Sequence, residues 1–477
     1  MSSVSTAPTR SAVAGAAPSA GPSLIVAMLG FAVVTLDTQV VNVALPDISR
    51  DLGGSLSGLQ WVVTGYTLMF SSLLLFAGTF ADRIGARRAY GTGMLIFVVA
   101  SVACGLAPGL GWLIAARIVQ GVGAALVTPT SLALIRAAYH DSGARVRAIA
   151  YWGMGGSIAA AAGPVLGGAL TELDWRLIFF LNVPVGIVAG LALRRAADSP
   201  RTATPFDWIG QLTAVLALAA LTYGVIEGAH LGYGSARILV AFVVAGLAFA
   251  VFLTAQALAR HPMLPLDLFR SRAVGTALTV AFLGMAGFYG VVFLQGLYFQ
   301  QVRGASAFTT GLLFLPMTAL VPILAPVAAR MANRFGPGVP IIFGQLLMAA
   351  GLAGLVLLPA DAPLLLVAAV MIPVGVGGSF TVPSIAALLL DSVPSHQAGT
   401  ASAVFNMSRQ LGGALGVAAY GAVVASSAAF LNGLHISLAV TAVLLLCTAL
   451  ASLTLRRKHH PHRTTNTDDA GHPGPRT

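Results

Sequence analysis

Fourteen long apolar runs, separated by short polar breaks, leave this chain few folds to choose from. They cover residues 23–45, 59–81, 89–107, 111–136, 147–170, 177–193, 208–227, 237–256, 274–300, 307–329, 339–359, 363–390, 398–425 and 434–455. Each is close to the roughly 20 residues that a helix needs to cross a bilayer. Only 9% of the 477 residues are charged, while 57% are hydrophobic. A soluble domain carries about 25% charged residues to cover its surface. An ordinary soluble enzyme and a disordered chain are therefore excluded. The expected class is an all-α polytopic membrane protein with fourteen transmembrane helices. No phosphate loop, HExxH or GxSxG string is present, so neither an enzyme nor an ATP-driven pump is expected, and no cofactor or metal site.

The net charge of +11 does not indicate a nucleic-acid partner. Such a partner needs basic residues gathered on one soluble face, and here they are scattered between the apolar runs. Alternating the spans from a cytoplasmic N-terminus puts twenty Lys and Arg on one side. Four, Arg50, Arg176, Arg237 and Arg303, fall on the other, and Arg117 and Arg409 lie within spans. Such a bias orients spans with the basic side in the cytoplasm. A multi-pass cell-membrane protein with both termini cytoplasmic follows, and the lipid bilayer is its surrounding partner. Residues 1–22, rich in Ser, Ala and Pro, read as a flexible tail without a cleaved signal. Residues 456–477 read as a second cytoplasmic tail, whose HHPH string (459–462) lacks ligand geometry. Cys104 and Cys447 sit in apolar runs and frame neither a disulfide scaffold nor a metal site.

The chain also repeats itself. GTFADRIG (78–85) matches the segment ending at Gly336, with Asp82-Arg83-x-Gly85 over Asn333-Arg334-x-Gly336 at an offset of 251. GVGAALVTP (121–129) matches GVGGSFTVP (375–383) at 254. Two six-helix bundles, 23–194 and 274–455, are thus expected, with 195–273 a linker carrying two inserted helices. Parallel halves of this kind hold a substrate site between them near the bilayer midplane.

Five segments carry a resemblance that covers nearly the whole chain after residue 22. They are LDTQVVNVALP (36–46), GTFADRIGARR (78–88), LIAARIVQGVGAAL (113–126), GSIAAAAGPVLGG (156–168) and WRLIFFLNVPVG (175–186). The chain resembles the major facilitator superfamily, and within it the fourteen-helix drug:proton antiporters of EmrB/QacA type. LQGLYFQQVRGASAF (294–308) is similar to antibiotic-resistance members such as the methylenomycin exporters. The resemblance implies a proton-driven efflux transporter that exports small, lipophilic compounds by alternating access. Its partners are then the small-molecule substrate and protons, and a monomer is the expected working unit. A proton-coupled permease importing a metabolite is the alternative, against which the GPxxGG string argues.

Asp37 lies mid-span, where a charged carboxylate costs about 2.5–3.5 kcal/mol on insertion scales. A proton removes that cost, so the group suits a proton carrier that loads in a dry cavity and unloads in a wet one. The alternative is a carboxylate locked to a neighbouring helix. The resemblance makes Arg117 its tuning partner; otherwise Arg117 ties backbone carbonyls. Gln120 recurs on the same helix face at a spacing of three. Substrate-cavity candidates are Asn42, Gln120, Tyr151, Tyr289, Asn406 and Arg409, although Arg409 also has the option of snorkelling to the surface. Trp61, Tyr66, Trp152 and Phe288 are either cavity lining or packing. Gly156, Gly163, Pro164, Gly167 and Gly168 form the antiporter motif, read as a sealing and rocking surface or as plain packing. Gly78, Asp82, Arg83, Gly85, Arg87 and Arg88 are read as a latch on the cytoplasmic side, or as a solvated loop. Glu227, in the inserted pair, is an interfacial residue or a second proton site.

Overall fold

The computed structural model describes residues 19–201, 205–259, 262–394 and 397–453. Arg10, Arg260, the basic cluster 456–458 and the His-rich string 459–462 lie outside the described residues. Within them the chain is helical throughout: α1 (Ala20–Leu52), α2 (Leu56–Ile84), α3 (Ala86–Gly105), α4 (Leu110–Ala138), α5 (Ser142–Leu173), α6 (Leu177–Phe180), α7 (Asn182–Leu193), α8 (Trp208–Leu231), α9 (Ala236–Leu258), α10 (Arg272–Leu297), α11 (Ala307–Phe335), α12 (Gly338–Leu357), α13 (Leu364–Asp391), α14 (Ala398–Ala425) and α15 (Phe430–Ser452). Each of the fourteen apolar runs is helical. Twelve helices are long and apolar enough to cross a membrane. The sixth run is broken into α6 and α7 at Leu181, because Pro184 has no N–H to give the carbonyl of Phe180. The thirteenth, α14, is 28 residues long but more polar, carrying Asn406, Arg409 and Gln410. A π-turn, Tyr298–Val302, extends α10.

Large apolar side chains such as Leu95, Leu212, Leu247, Leu365 and Val443 are exposed on the outside of the bundle. In water this surface would drive aggregation; in hydrocarbon it carries no such penalty.

The repeat is visible as repeated contact. A Cβ on Gly121 would meet the carbonyl oxygen of Tyr66, and one on Gly375 would meet that of Met317. Gly123 lies against Gly93 and Phe97, as Gly377 lies against Gly344 and Met348. Both loops that carry the repeated motif turn at a glycine of positive φ, Gly85 (+93°) and Gly336 (+82°), a conformation costly for any residue with a Cβ. The fold is two related six-helix bundles, α1–α7 and α10–α15, with α8 and α9 inserted between them. Short helix crossings at these glycines allow backbones to approach closely.

The inserted pair docks on α2. Gln211 donates to the carbonyl of Ser72 at 3.0 Å, and Trp61 Nε1 donates to Glu227 Oε1 at 2.9 Å. Glu227 therefore ties α8 to α2. The seam between α2 and α14, two helices of opposite halves, is covered on this side by α8.

The two halves are sealed toward the arginine-poor face. Gln60 of α2 donates to the carbonyls of Val417 (3.0 Å) and Ala418 (2.8 Å) of α14. Gln300 donates to the carbonyl of Val43 at 2.8 Å, and Glu172 accepts from the Phe308 N–H at 3.2 Å. Gly168 of α5 abuts Ala307 and Phe308, and Gly311 of α11 abuts Pro164. The last tie between α5 and α11 is Thr318 Oγ1, which donates to the carbonyl of Ala161 at 3.3 Å. Beyond Thr318 the only buried residue of α11 is Ala328. Along α5 and α11 the halves thus part below mid-bundle toward the arginine-rich face, while α2 and α14 stay packed, with Leu75 buried in one cluster with Ala401, Val404 and Phe405.

Candidate functional site

The first half holds a closed polar cluster around Asp37, which has no exposed surface. Arg117 Nη1 of α4 donates to Asp37 Oδ2 at 2.5 Å. Gln120 Nε2 and Asn182 Nδ2 each donate to Asp37 Oδ1 at 2.8 Å. Ser101 Oγ accepts from Gln120 at 2.7 Å and from Asn182 at 3.1 Å. Arg117 also gives its Nε proton to the carbonyl of Val62 at 3.1 Å and bonds Gln120 Oε1 at 2.7 Å. Its guanidinium carbon lies 4.2 Å from the centre of the Tyr66 ring. Five helices, α1, α2, α3, α4 and α7, contribute to this cluster, of which α4 and α7 bond the carboxylate directly.

Why these side chains converge is local. Gly121 lets α4 approach the backbone of α2, bringing Arg117 beneath the Val62 carbonyl. The break at Leu181 starts α7 at Asn182 and directs its amide inward. Charged groups taken out of water need such partners, since an unpaired buried charge costs several kcal/mol. In the second half Met371, buried, holds the place that Arg117 holds in the first. The ionic cluster is one-sided.

The sequence candidates fall into separate places. Asp37, Arg117 and Gln120 come together. Gln120 is fully buried among them and lines no open space in this conformation. Asn42 is buried in the sealed part of α1, with its amide donating to the carbonyl of Thr38 at 2.9 Å. Tyr66 packs under Arg117, and Trp152 stacks on Phe31 (4.0 Å between ring centres) while donating to Ser131 at 2.9 Å. These aromatics are packing here. Tyr151 of α5 is 50% exposed. Asn406, Arg409 and Tyr289 form a second group, in the other half: Arg409 Nη1 donates to Asn406 Oδ1 at 3.4 Å, and Tyr289 covers Gly413.

The motif glycines of α5 are contact surfaces. Gly156 faces the Phe31 ring, Gly163 the Gln39 side chain and Gly167 the backbone of Val40, all on α1. Gly168 and Pro164 face α11 across the halves. The loop after α2 pairs with the end of its own half and with the linker that follows it. Arg87 donates to the carbonyl of Arg194 at 2.7 Å, the Ala86 N–H donates to Ser199 Oγ at 2.8 Å, and Arg83 lies 4.9 Å from the Phe206 ring centre. Asp82 and Arg88 are exposed, and a Cβ on Gly78 would meet nothing within 4 Å. No cross-half latch is made by this loop in the present conformation.

Asn182 and Ser101 were not anticipated. A lone amide in the sixth span, two residues before a proline, was the available signal for Asn182. Ser101 is one hydroxyl among many and offers none.

Two related six-helix bundles, joined across their seam at the arginine-poor face, are the plan of a membrane transporter. The sequence model of the Major Facilitator Superfamily matches residues 27–417, and the chain belongs to that family. It is related to antibiotic-resistance and export proteins. It is 39% identical over 414 residues to the "Methylenomycin A resistance protein" of Bacillus subtilis (strain 168), covering 86% of this chain and 89% of that protein. It is 37% identical to the "Multidrug resistance protein Stp" of Mycobacterium tuberculosis (85% and 76% covered). It is 34% identical to the "Tetracenomycin C resistance and export protein" of Streptomyces glaucescens (85% and 76%). Among solved structures, a peptide transporter POT in complex with sulfate shares the fold, with a TM-score of 0.68 at 18% identity, covering 94% of this chain and 96% of that one.

Proposed function

We propose that the protein is a proton-driven exporter of small lipophilic compounds, exchanging protons for substrate across the cell membrane, with the arginine-rich face in the cytoplasm. One observation carries this reading. A carboxylate and its guanidinium partner are buried at the middle of one bundle, where the other bundle has a methionine. The relatives, resistance and export proteins by name, point the same way.

The proposed cycle follows from the bonds. With the cleft open to the cytoplasm, Asp37 is ionised and paired with Arg117. A proton arriving from the other side cancels that charge. Arg117 is then left with the Val62 carbonyl, Gln120 Oε1 and the Tyr66 ring, and the charged tie of α1 to α4 is lost while Gln120 and Asn182 still donate to Asp37 Oδ1. Helix α1 bears on α5 through Gly163 and Gly167, and α5 bears on α11 through Gly168 and Pro164. The protonation state of one carboxyl thus reaches the seal between the halves. Closure on the cytoplasmic side is assigned to Gly78, Asp82, Arg83, Gly85, Arg87 and Arg88. Inward proton movement supplies about 2.3 kcal/mol per charge per 100 mV.

Everted membrane vesicles with a lumen acidified in advance test the reading. Addition of transported compounds, drawn from a panel of lipophilic antibiotics and dyes, is expected to dissipate the gradient. Absence of dissipation across the panel, with gradient-driven release of a preloaded nutrient from the lumen instead, would favour the importing permease.

A further inference from the structure

The second deep arginine stands in a different position from the first. Arg409 lies near the middle of α14, and among the described residues no carboxylate is within ion-pair distance of it. Its Nε is buried and has no protein hydrogen-bond partner. Its hydrogen bond goes to a neutral acceptor, Asn406 Oδ1, at 3.4 Å, and the Phe405 ring centre is 5.8 Å away. A part-buried guanidinium with a buried, unused donor calls for an anionic acceptor.

Helix geometry directs this group into the cleft. One edge of α14 packs on α10, through Ser408, Gly412 and Gly416. Another packs on α2 of the opposite half, through Val417, Ala418 and Gly421. Residues 406, 409 and 413 share the arc between those edges at spacings of three and four. Across the cleft, Ala161 and Val165 mark the edge of α5 that meets α11. The same edge continues through Ile158, Met154 and Tyr151, which are exposed where the halves part. One wall therefore presents a cation and an amide, and the other presents apolar side chains.

We propose that Arg409, with Asn406, forms an anion subsite, and that the substrates are amphipathic organic acids: a carboxylate on Arg409, an apolar body along Ile158 and Met154. This rests on the export reading above and narrows its substrate class. It also sets the charge balance. If one proton enters for each monoanion that leaves, two elementary charges move inward per cycle, so the membrane potential drives export of an acid harder than that of a neutral compound.

The test uses the full chain purified in detergent and three probes on one scaffold: 1-pyrenebutyrate, its methyl ester, and the corresponding trimethylammonium compound. Binding is read by energy transfer from tryptophan to pyrene. The wild type is expected to prefer the acid. Arg409→Gln is expected to weaken acid binding about 10- to 100-fold, as loss of a charge-assisted contact does, and to leave the ester unchanged. Arg409→Lys keeps the charge without the fork and is expected to fall between, which also guards against a folding defect in the glutamine variant. Failure of the wild type to bind the acid, preference for the ester or the cation, or an equal loss for all three probes would each overturn the proposal. Acid binding through Arg409 without gradient-driven exchange in vesicles would keep this subsite and reject the transport cycle. Exchange of neutral or cationic compounds that is untouched by Arg409→Gln would keep the cycle and reject the subsite.

Discussion

Replacing Asp37 by asparagine is the sharpest probe of the ionic cluster, because it removes one charge and almost no volume. The carboxylate accepts three bonds: two amides on Oδ1 at 2.8 Å and Arg117 on Oδ2 at 2.5 Å. An asparagine carbonyl placed at Oδ1 keeps both amide bonds. Its NH2 then faces the Nη1 donor of Arg117, so the charge-assisted bond is lost and two donors oppose each other. Breaking a buried pair from one side costs about 3–5 kcal/mol. Arg117 keeps the Val62 carbonyl and Gln120 Oε1. Its contact with Tyr66 remains too and, being common to both proteins, cancels in the difference. The expected loss for Asp37→Asn is therefore about 3–5 kcal/mol. Asp37→Asn with Arg117→Gln removes both charges and is expected to recover most of it, since neutral amides can bond each other. The assay is thermal unfolding of the four proteins in detergent, run beside gradient-driven exchange in everted vesicles. Both charge-deleted variants are expected to lose exchange, whatever their stability. A double variant no more stable than the sum of the single effects would refute the energetic argument. Undiminished exchange by Asp37→Asn would refute the proton assignment.

Further consequences are separable. Gly121→Ala and its repeat partner Gly375→Ala push a methyl into the carbonyls of Tyr66 and Met317, so each is expected to cost about 1–3 kcal/mol, measured by thermal unfolding. Gly78→Ala meets no atom within 4 Å and is expected to leave stability unchanged or slightly raised; loss of transport in that variant would then report on closure rather than folding. Glu227→Gln keeps an acceptor for Trp61 and is expected to leave the pH profile of exchange unmoved, whereas a shifted profile would make Glu227 a proton site. Gln60→Ala removes two bonds across the seal, worth about 1–2 kcal/mol, and is expected to raise opening of the arginine-poor face about 5- to 30-fold. Thiol labelling of Asn42→Cys, in a Cys447→Ser background that leaves the buried Cys104, reads that opening; an unchanged labelling rate would show that Gln60 does not hold the seal.

The fate of individual residues shows what was legible in advance. Asp37, Arg117 and Gln120 could be associated beforehand because a charge inside an apolar run is conspicuous and the i, i+3 spacing shares a face. Their fourth partner, Asn182, lies 145 residues from Asp37 and depended on a helix break. The small residues of α5 announced a close packing surface, but not that Gly163 and Gly167 serve α1 while Gly168 serves α11. Trp61 and Trp152, whose type left cavity lining and packing both open, are engaged by Glu227 and by Phe31 and Ser131.

Hydrophobicity along the chain, the side on which arginine falls between spans, and the recurrence of short motifs are local or additive quantities. For that reason they determined the helices, their count and the two-bundle plan without reference to coordinates. Which helices touch is set by side chains far apart in sequence meeting at glycine crossings. Only the tertiary structure decided that the Asp37 carboxylate sits in a cluster built by five helices, that the seal lies on the arginine-poor face, and that Arg409 has no countercharge among the described residues. A charge in hydrocarbon must find its partner in space, and the order of residues does not say how far away that partner is.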